Sequence, residues 1–549
     1  MGTGTRRKGR GAGCGGAPAP VACLLLGLLC ALPAGCGRGS GDRPDAAVEP
    51  VTGGTAVVAF PADPDVLNPL LYTSAHAGQV LDLLGDTLVE MGEDFVYRPR
   101  IASRLDFSPD SLAVTVRLRP WCWSDGAPLT ARDVAASYRL FVDPRVASPR
   151  GGGRFNNVVS VTALDDSTVR YVFRESRNDL VATLGHFLLP AHLTDALDPA
   201  AVRAWPLNEQ PLSSGPFVLE SWERGQTLVL RRNESYPGPR ARLDRLVLRI
   251  IPDETSRLVE LETGGVDLLE DVPAGSLDRL RRRDDVVVHR LAGRLVGQIV
   301  WNLEDPRFAD ERVRRALSLA VDRSFFVDGL LEGCARAGGG PLPPALWAFD
   351  PALPPEPYDP ARARALLDEA GWRDADGDGV RERDGEVLSF SLLTRKGDAV
   401  RENGAAAIRD HLGRVGVACR PRIMEMGAAI ELVQSGRFEA FLGVYSERLA
   451  VDPSPRFASD AWSLFNYGHY ASAAADSLLA LGLAERDRAL ARPVWNAFQR
   501  LILEEAPVAT LYYPDQVVAV RRRLRGVAPH VLSTYQNVQD WWVAPADGR

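Results

Sequence analysis

The chain reads as a multidomain α/β protein, and three observations say so. Strand-type and helix-type hydrophobic periodicities alternate along its whole length, which is the pattern of packed sheets and helices. At 549 residues it is too long for one hydrophobic core. Its 46% hydrophobic and 25% charged residues are the proportions of a water-exposed globular protein.

The elements can be justified in order. Arg6, Arg7, Lys8 and Arg10 precede an apolar run from Val21 to Leu32 and then Pro33-Ala34-Gly35-Cys36. A dozen apolar residues are too few to span a bilayer and match the core of a secretory signal over residues 1–35. The Ala-Gly-Cys ending resembles a bacterial lipobox with Cys36 as the lipidated residue, although Pro33 stands where Leu is usual. Ordinary secretion with cleavage nearby is the other reading. Residues 36–50 are polar and Gly/Asp/Arg-rich, as a flexible tether is. Beyond them Ala113 to Arg119 alternates apolar Val114, Val116 and Leu118 with polar neighbours, which predicts a half-buried strand. A turn at Asp125-Gly126 follows. Thr130 with Asp133 three residues on is a capping box, predicting a helix that buries Val134, Tyr138 and Phe141. Asp310 caps a second helix with Val313, Ala316, Leu317 and Ala320 on one face. Asp359 with Pro360 opens a third, which carries Ala363, Leu366, Leu367 and Ala370 and stops at Gly371. Cys122, Cys334 and Cys419 lie too far apart for a metal motif and allow at most one disulfide.

Several segments in a fixed order carry a wider resemblance. They include Leu67-Asn68-Pro69, Trp123-Ser124-Asp125-Gly126-Ala127-Pro128-Leu129-Thr130, Ser214-Gly215-Pro216-Phe217 and Gly265-Val266-Asp267-Leu268. Further on come Asp310-Glu311-Arg312-Val313-Arg314-Arg315-Ala316-Leu317, Glu369-Ala370-Gly371-Trp372 and Glu505-Ala506-Pro507. From about Val57 to Val527 the chain resembles family 5 of the extracellular solute-binding proteins, which serve ABC importers of oligopeptides, dipeptides and nickel chelates. The resemblance implies a two-lobed type II periplasmic-binding-protein-like fold with an extra domain inserted in the first lobe. By position, lobe I would comprise 51–85, 205–295 and 508–549, the insert 86–204, and lobe II 296–507.

Catalytic and nucleotide signatures are absent. There is no Gly-x-Ser-x-Gly elbow, phosphate-binding loop or His-Glu-x-x-His helix, and the seven histidines are scattered. The expectation is a binder, not an enzyme, that requires no cofactor. A net charge of −7 with only short cationic runs argues against nucleic acid. One stretch resembles a calcium loop: Asp374, Asp376 and Asp378 place carboxylates at alternate positions around Gly377 and Gly379. The twelfth position, where such a loop needs Glu, is Gly385, and Glu386 comes one residue late. A structural calcium ion and a plain solvated turn both fit.

The ligand cleft follows from the resemblance. Peptide-binding members hold the ligand's α-amine with an Asp four residues before a Pro, because a desolvated ammonium needs a close anion. Here Leu449 occupies that place before Asp452-Pro453, with Arg448 beside it. Either Arg448 meets an anion on the ligand and Glu447 supplies the anchor from a shifted register, or both lie on the surface with Leu449 packed inside. With the register shifted by one, Tyr445 takes the place of the family's Trp. Tyr72, Thr73, Ser74 and His76 lie on an early loop that approaches ligand in relatives. Trp301, Asn302, Trp462 and His469 complete the candidates, the last two in a cluster with Asn466, Tyr467 and Tyr470. The implied partners are a peptide-like or other small polar solute, ABC permease subunits and a lipid anchor to the membrane, at its periplasmic or cell-surface face. The alternative is a lipoprotein that senses a solute or presents a surface without feeding transport.

Overall fold

The longest strand, Val508–Arg521, organises the architecture. Its 14 residues span about 46 Å at roughly 3.3 Å each. The C-terminal half pairs antiparallel with Val286–Ala292, from Asp515 to Arg521. The N-terminal half pairs antiparallel with Leu295–Trp301, from Val508 to Tyr512. Two successive strands thus lie end to end along one long partner. The link between them, Gly293-Arg294, passes from one half of the sheet to the other.

In this computed structural model residues 49–545 are described, apart from 152, 179, 463 and 464. The signal segment, Cys36 and most of the tether lie outside the described residues. From Pro50 onward the chain forms one compact unit. Its large mixed sheet runs, on one side of the long strand, through Leu268–Leu269, Thr55–Phe60, Arg245–Ile250, Thr227–Arg232 and Phe217–Glu223. On the other side it runs through Leu295–Trp301, Ala440–Ser446, Ser389–Arg395 and Ala418–Met424. Each half has cores of its own. Val58, Phe60, Phe217, Leu248 and Val518 centre the first lobe. Trp301, Phe308, Leu317, Phe390 and Leu442 centre the second. The described chain crosses between the lobes at only two places, the Gly293-Arg294 link and the middle of the long strand around Pro514. Gly293 packs so closely there that a Cβ would stand 2.3 Å from the Pro514 carbonyl oxygen.

The inserted domain is built on a four-stranded antiparallel sheet, Ala102–Phe107, Ala113–Leu118, Thr168–Phe173 and Val158–Asp165 in that order. The alternation read from the sequence buries Val114, Val116 and Leu118. Helix Ala131–Val142 covers the sheet. At its start Asp133 Oδ2 accepts from the Thr130 backbone N–H at 2.7 Å and from its hydroxyl at 3.0 Å. Asp133 is itself buried, and its other oxygen accepts from Trp123 Nε1 at 3.2 Å and the Ala191 N–H at 2.8 Å. Capping residue and tertiary clamp are thus one carboxylate. In the second lobe Asp310 caps helix Glu311–Leu319. Asp359 caps Pro360–Glu369, and Gly371 takes the left-handed φ of 86° that ends it. Cys122, Cys334 and Cys419 are free thiols. Among the described residues no helix is long and apolar enough to cross a membrane.

Candidate ligand-binding cleft

The inserted domain and the second lobe meet across polar contacts. The Asn178 N–H donates to the Leu483 carbonyl at 3.1 Å. Arg486 donates to Ser111 and Ser176 at 2.8 Å each, and Arg488 to the Asp94 carbonyl at 2.8 Å. Arg177 faces Asp452 at 3.9 Å. Behind this line the candidates fall into three groups.

The first group lies on the early loop. Tyr72 is half-buried, and the Arg150 guanidinium lies 3.7 Å above its ring. Burial raises the phenol's pKa, with Arg150 opposing. Asp82 lies on the helix Ala75–Leu84 that this loop opens, with its side chain exposed. The protein around it raises its carboxyl's pKa, and Arg150 pulls the other way. Thr73 and Ser74, expected to face ligand, are committed to the fold instead. Asp65 Oδ2 accepts from the Thr73 N–H and hydroxyl at 2.7 Å, and Oδ1 from the Ser74 hydroxyl at 3.0 Å. Ser74 also caps the helix, accepting from the Ala77 N–H at 3.1 Å. His76 turns edge-on to Phe60 at 5.2 Å, and burial lowers its pKa.

The second group is at the end of strand Ala440–Ser446. Glu447 is buried and paired with Arg456. The Arg456 guanidinium lies 4.4 Å over the Tyr445 ring. Beside this stack is a small recess, lined by Gln298, Tyr445, Arg456, Phe465 and Tyr467 among others. Gln298 is fully buried, and neither atom of its amide has a partner; the Tyr445 hydroxyl and Arg456 Nη2 are also unpartnered. Unsatisfied buried polar groups facing one small recess suit bound water. Arg448 is exposed and makes no hydrogen bond or ion pair among the described residues.

In the third group, proximity in sequence does not become a single surface. Trp301 is fully buried, stacked on Phe308 at 5.4 Å and edge-on to Phe390 at 6.0 Å, so it belongs to the second lobe's core rather than the cleft face. Asn302 spends its amide on the Gly436 and Phe438 carbonyls at 3.2 and 2.8 Å. Asn466 holds the 458–470 loop by donating to Ala458 and Tyr470 carbonyls. Trp462 is 47% exposed and stacks on His469 at 4.9 Å, whose Nδ1 lies 2.8 Å from Glu304.

The Asp374 loop lies apart. Asp374 accepts the Gly377 and Gly379 N–H groups at 2.8 and 3.1 Å, and Asp376 the Asp378 N–H at 3.0 Å. Asp378 accepts from the Val380 N–H at 2.8 Å. The three carboxylates whose oxygens gather within 4.8 Å are Asp374, Asp376 and Glu382, so Glu382 takes the place expected of Asp378.

Sequence reasoning missed Arg150, Asp82, Gln298 and Arg456. The loop Arg150-Gly-Gly-Gly-Arg154, two cations around three glycines, was the one legible signal among them. Gln298 sits inside an apolar strand, where an isolated amide gives no pattern.

Comparison with known proteins agrees with the geometry. The chain is 27% identical over 534 residues, 95% of its length and 97% of the relative's, to the oligopeptide-binding protein AppA of Bacillus subtilis. It is 27% identical over 536 residues, 95% of its length and 94% of the relative's, to protein XP55 of Streptomyces lividans. The structure of the B. subtilis AppA in complex with a nonapeptide superposes with a TM-score of 0.77 at 27% identity, covering 90% of this chain and all of that one. The neighbours share the type II periplasmic-binding-protein fold, as the resemblance implied. Residues 96–462, well over half of the chain, match the model of the bacterial extracellular solute-binding proteins, family 5 (middle); the chain belongs to this family and is a solute-binding protein, not an enzyme.

Proposed function

We propose that the protein is the capturing component of an ABC importer: a lipoprotein tethered through Cys36 that takes a peptide-like or other small polar solute between its lobes and presents it to membrane permease subunits. The observation that carries this reading is the pair of crossings at Gly293-Arg294 and Pro514, which leave two separately cored lobes joined by little backbone. Lobes so joined can rotate, and a solute that touches both only when they are together shifts the population to the closed form. The unpartnered groups of Gln298, Tyr445 and Arg456 supply polar contacts on the second lobe. The nonapeptide bound by the B. subtilis relative supports a peptide-like solute.

The test is mass spectrometry of solute carried through purification, followed by small-angle scattering of the protein with and without it. A bound solute and a smaller radius of gyration in its presence are expected. A radius that does not change on saturation overturns the closure mechanism. Labelling cells with radioactive palmitate tests the anchor: incorporation that persists in Cys36→Ser overturns the assignment of that cysteine.

A further inference from the structure

The inserted domain is fastened to the first lobe as one body. Its buried core takes in Leu70, Leu71 and Tyr236 from first-lobe segments. Hydrogen bonds add to this: Trp121 Nε1 donates to the Ser214 carbonyl at 2.8 Å, and the Ser148 hydroxyl to the Leu70 carbonyl at 2.6 Å. With the second lobe the inserted domain shares no such core. Among the described residues no buried apolar cluster draws on both. Leu481 and Leu490, on either side of the turn where the two meet, stay 59% and 62% exposed, so the contact buries neither.

What joins them is polar. The turn between helices Ala473–Ala484 and Arg488–Glu505 meets three turns of the inserted domain. Asn178 donates its backbone N–H to the Leu483 carbonyl at 3.1 Å and its side-chain amide to the Gly482 carbonyl at 3.0 Å. It thereby supplies, from another domain, partners that the last carbonyls of a helix lack. Arg486 divides its two amino groups between the Ser111 and Ser176 hydroxyls, at 2.8 Å each. Arg488 gives one to the Asp94 carbonyl at 2.8 Å and the other to the Phe95 carbonyl. Phe95 and Ser111 have left-handed φ values of 61° and 57°, and their N–H groups close tight turns on the Gly92 and Ser108 carbonyls at 2.8 Å each. The donors are anchored in turn. The Arg488 guanidinium lies 5.0 Å from the Trp347 ring, and Arg314 Nε holds the Glu505 carbonyl at 3.0 Å.

A contact of this make-up separates readily and re-forms in one geometry. Hydrogen bonds at an accessible surface exchange for bonds to water at small net cost, and little apolar area is re-exposed. The planar guanidinium forks fix how the surfaces meet again. None of these residues belongs to the crossings at Gly293-Arg294 or Pro514, so rotation of the lobes about those crossings has to break the contact.

We propose that Asn178, Arg486 and Arg488 form a latch between the inserted domain and the second lobe, and that its making and breaking sets how long the lobes stay closed. They are positioning residues, which govern retention of a solute they do not touch. This rests on the lobe-closure reading and adds to it the element that regulates closure.

The experiment is pulsed electron-spin distance measurement on the purified chain from Gly37 onward. Nitroxide labels go on Ala163→Cys in the inserted domain and Ala474→Cys in the second lobe, both exposed, with the half-exposed Cys122 changed to Ser. Without added solute the parent should favour the shorter of two distances. Arg486→Ala with Arg488→Ala should lower the ratio of short to long at least about fivefold, with the melting temperature within about 2 °C of the parent. Ser111→Ala with Ser176→Ala, which removes the acceptors of Arg486 and leaves both arginines in place, should move the ratio in the same direction. A tryptic digest of casein is the solute probe and should raise the short fraction in parent and variants alike. A ratio in the arginine variant within about twofold of the parent's overturns the latch, and a rise in the short fraction with the digest then leaves lobe closure standing. An unchanged ratio in the serine variant removes Arg486 from the latch. One fixed distance in every sample, digest included, overturns lobe closure itself.

Discussion

Substituting Arg456 tests the electrostatics of the second lobe most directly. Its side chain is 9% exposed and that of its partner Glu447 is 6% exposed, so both charges have left water and answer mainly to one another. Arg456→Ala strands the Glu447 carboxylate, which must stay ionised without a partner or take up a proton. Breaking such a pair costs about 3–5 kcal/mol, most of it the desolvation of the charge left behind. It also removes the guanidinium from the Tyr445 and Phe457 rings, 4.4 and 4.9 Å away, a loss of roughly 1 kcal/mol more. If the second lobe melts as a unit of about 200 residues, each kcal/mol shifts the midpoint by about 2–4 °C. Arg456→Ala should therefore lower the melting temperature at pH 7 by about 8–24 °C in differential scanning calorimetry. The double variant Glu447→Gln with Arg456→Met removes both charges and should recover more than half of that loss, giving a coupling energy of about 2 kcal/mol or more in the cycle. A single variant within about 2 °C of the parent, or a double variant no better than Arg456→Ala, would refute the view that these charges are held by each other.

Other expectations follow from particular contacts. His186 is buried between the Tyr171 hydroxyl at 3.1 Å and the Phe187 carbonyl at 2.9 Å, and burial lowers its pKa to about 4. The unfolded chain therefore takes the proton first as pH falls, so this group's contribution is complete above about 6.5 and is lost towards pH 4, roughly 3 kcal/mol in all. Urea melts between pH 7.5 and 4.5 should show a steeper loss for the parent than for His186→Gln; parallel losses would refute it. Gly293→Ala places a Cβ 2.3 Å from the Pro514 oxygen, forcing the crossing strands apart. A cost of about 1–3 kcal/mol and weaker solute binding are expected, and a melting temperature within 1 °C of the parent would contradict the tight fit. The Asp374 loop is already held by backbone N–H groups on each of its carboxylates. Millimolar calcium against EDTA is accordingly expected to move the melting temperature by less than about 1 °C; a calcium-dependent rise of several degrees would mean that the ion does bind the native loop.

How far the sequence could be read depended on the range of the interaction. Helix starts at Thr130, Asp310 and Asp359 were legible because a cap and its helix lie within four residues of one another. The buried alternation of Val114, Val116 and Leu118 was legible because a strand's two faces repeat every second residue. The family and its two-lobed fold were legible from ordered motifs spread along the chain. The site was legible only in part. Arg448 was singled out beside Leu449, but whether Glu447 would serve a ligand depended on Arg456, nine residues away and brought over it by the short helix Ser454–Phe457. Trp301 looked like a cleft aromatic because it ends a strand, yet Phe308 and Phe390 close over it. Thr73 and Ser74 are held at the surface by Asp65, eight and nine residues earlier, a pairing that their order in the chain does not announce.

By itself, then, the sequence determined the α/β class, the caps, the export signal to be expected and the family, since each rests on local spacing or on ordered motifs. Only the tertiary structure decided which charges meet. Asp267 is met by Arg523, 256 residues later in the chain, and Asp133 by the Ala191 N–H, 58 residues on, and both approaches depend on how distant segments cross. Coulombic energy depends on distance in space and on the water excluded between charges, and neither is written in the order of residues.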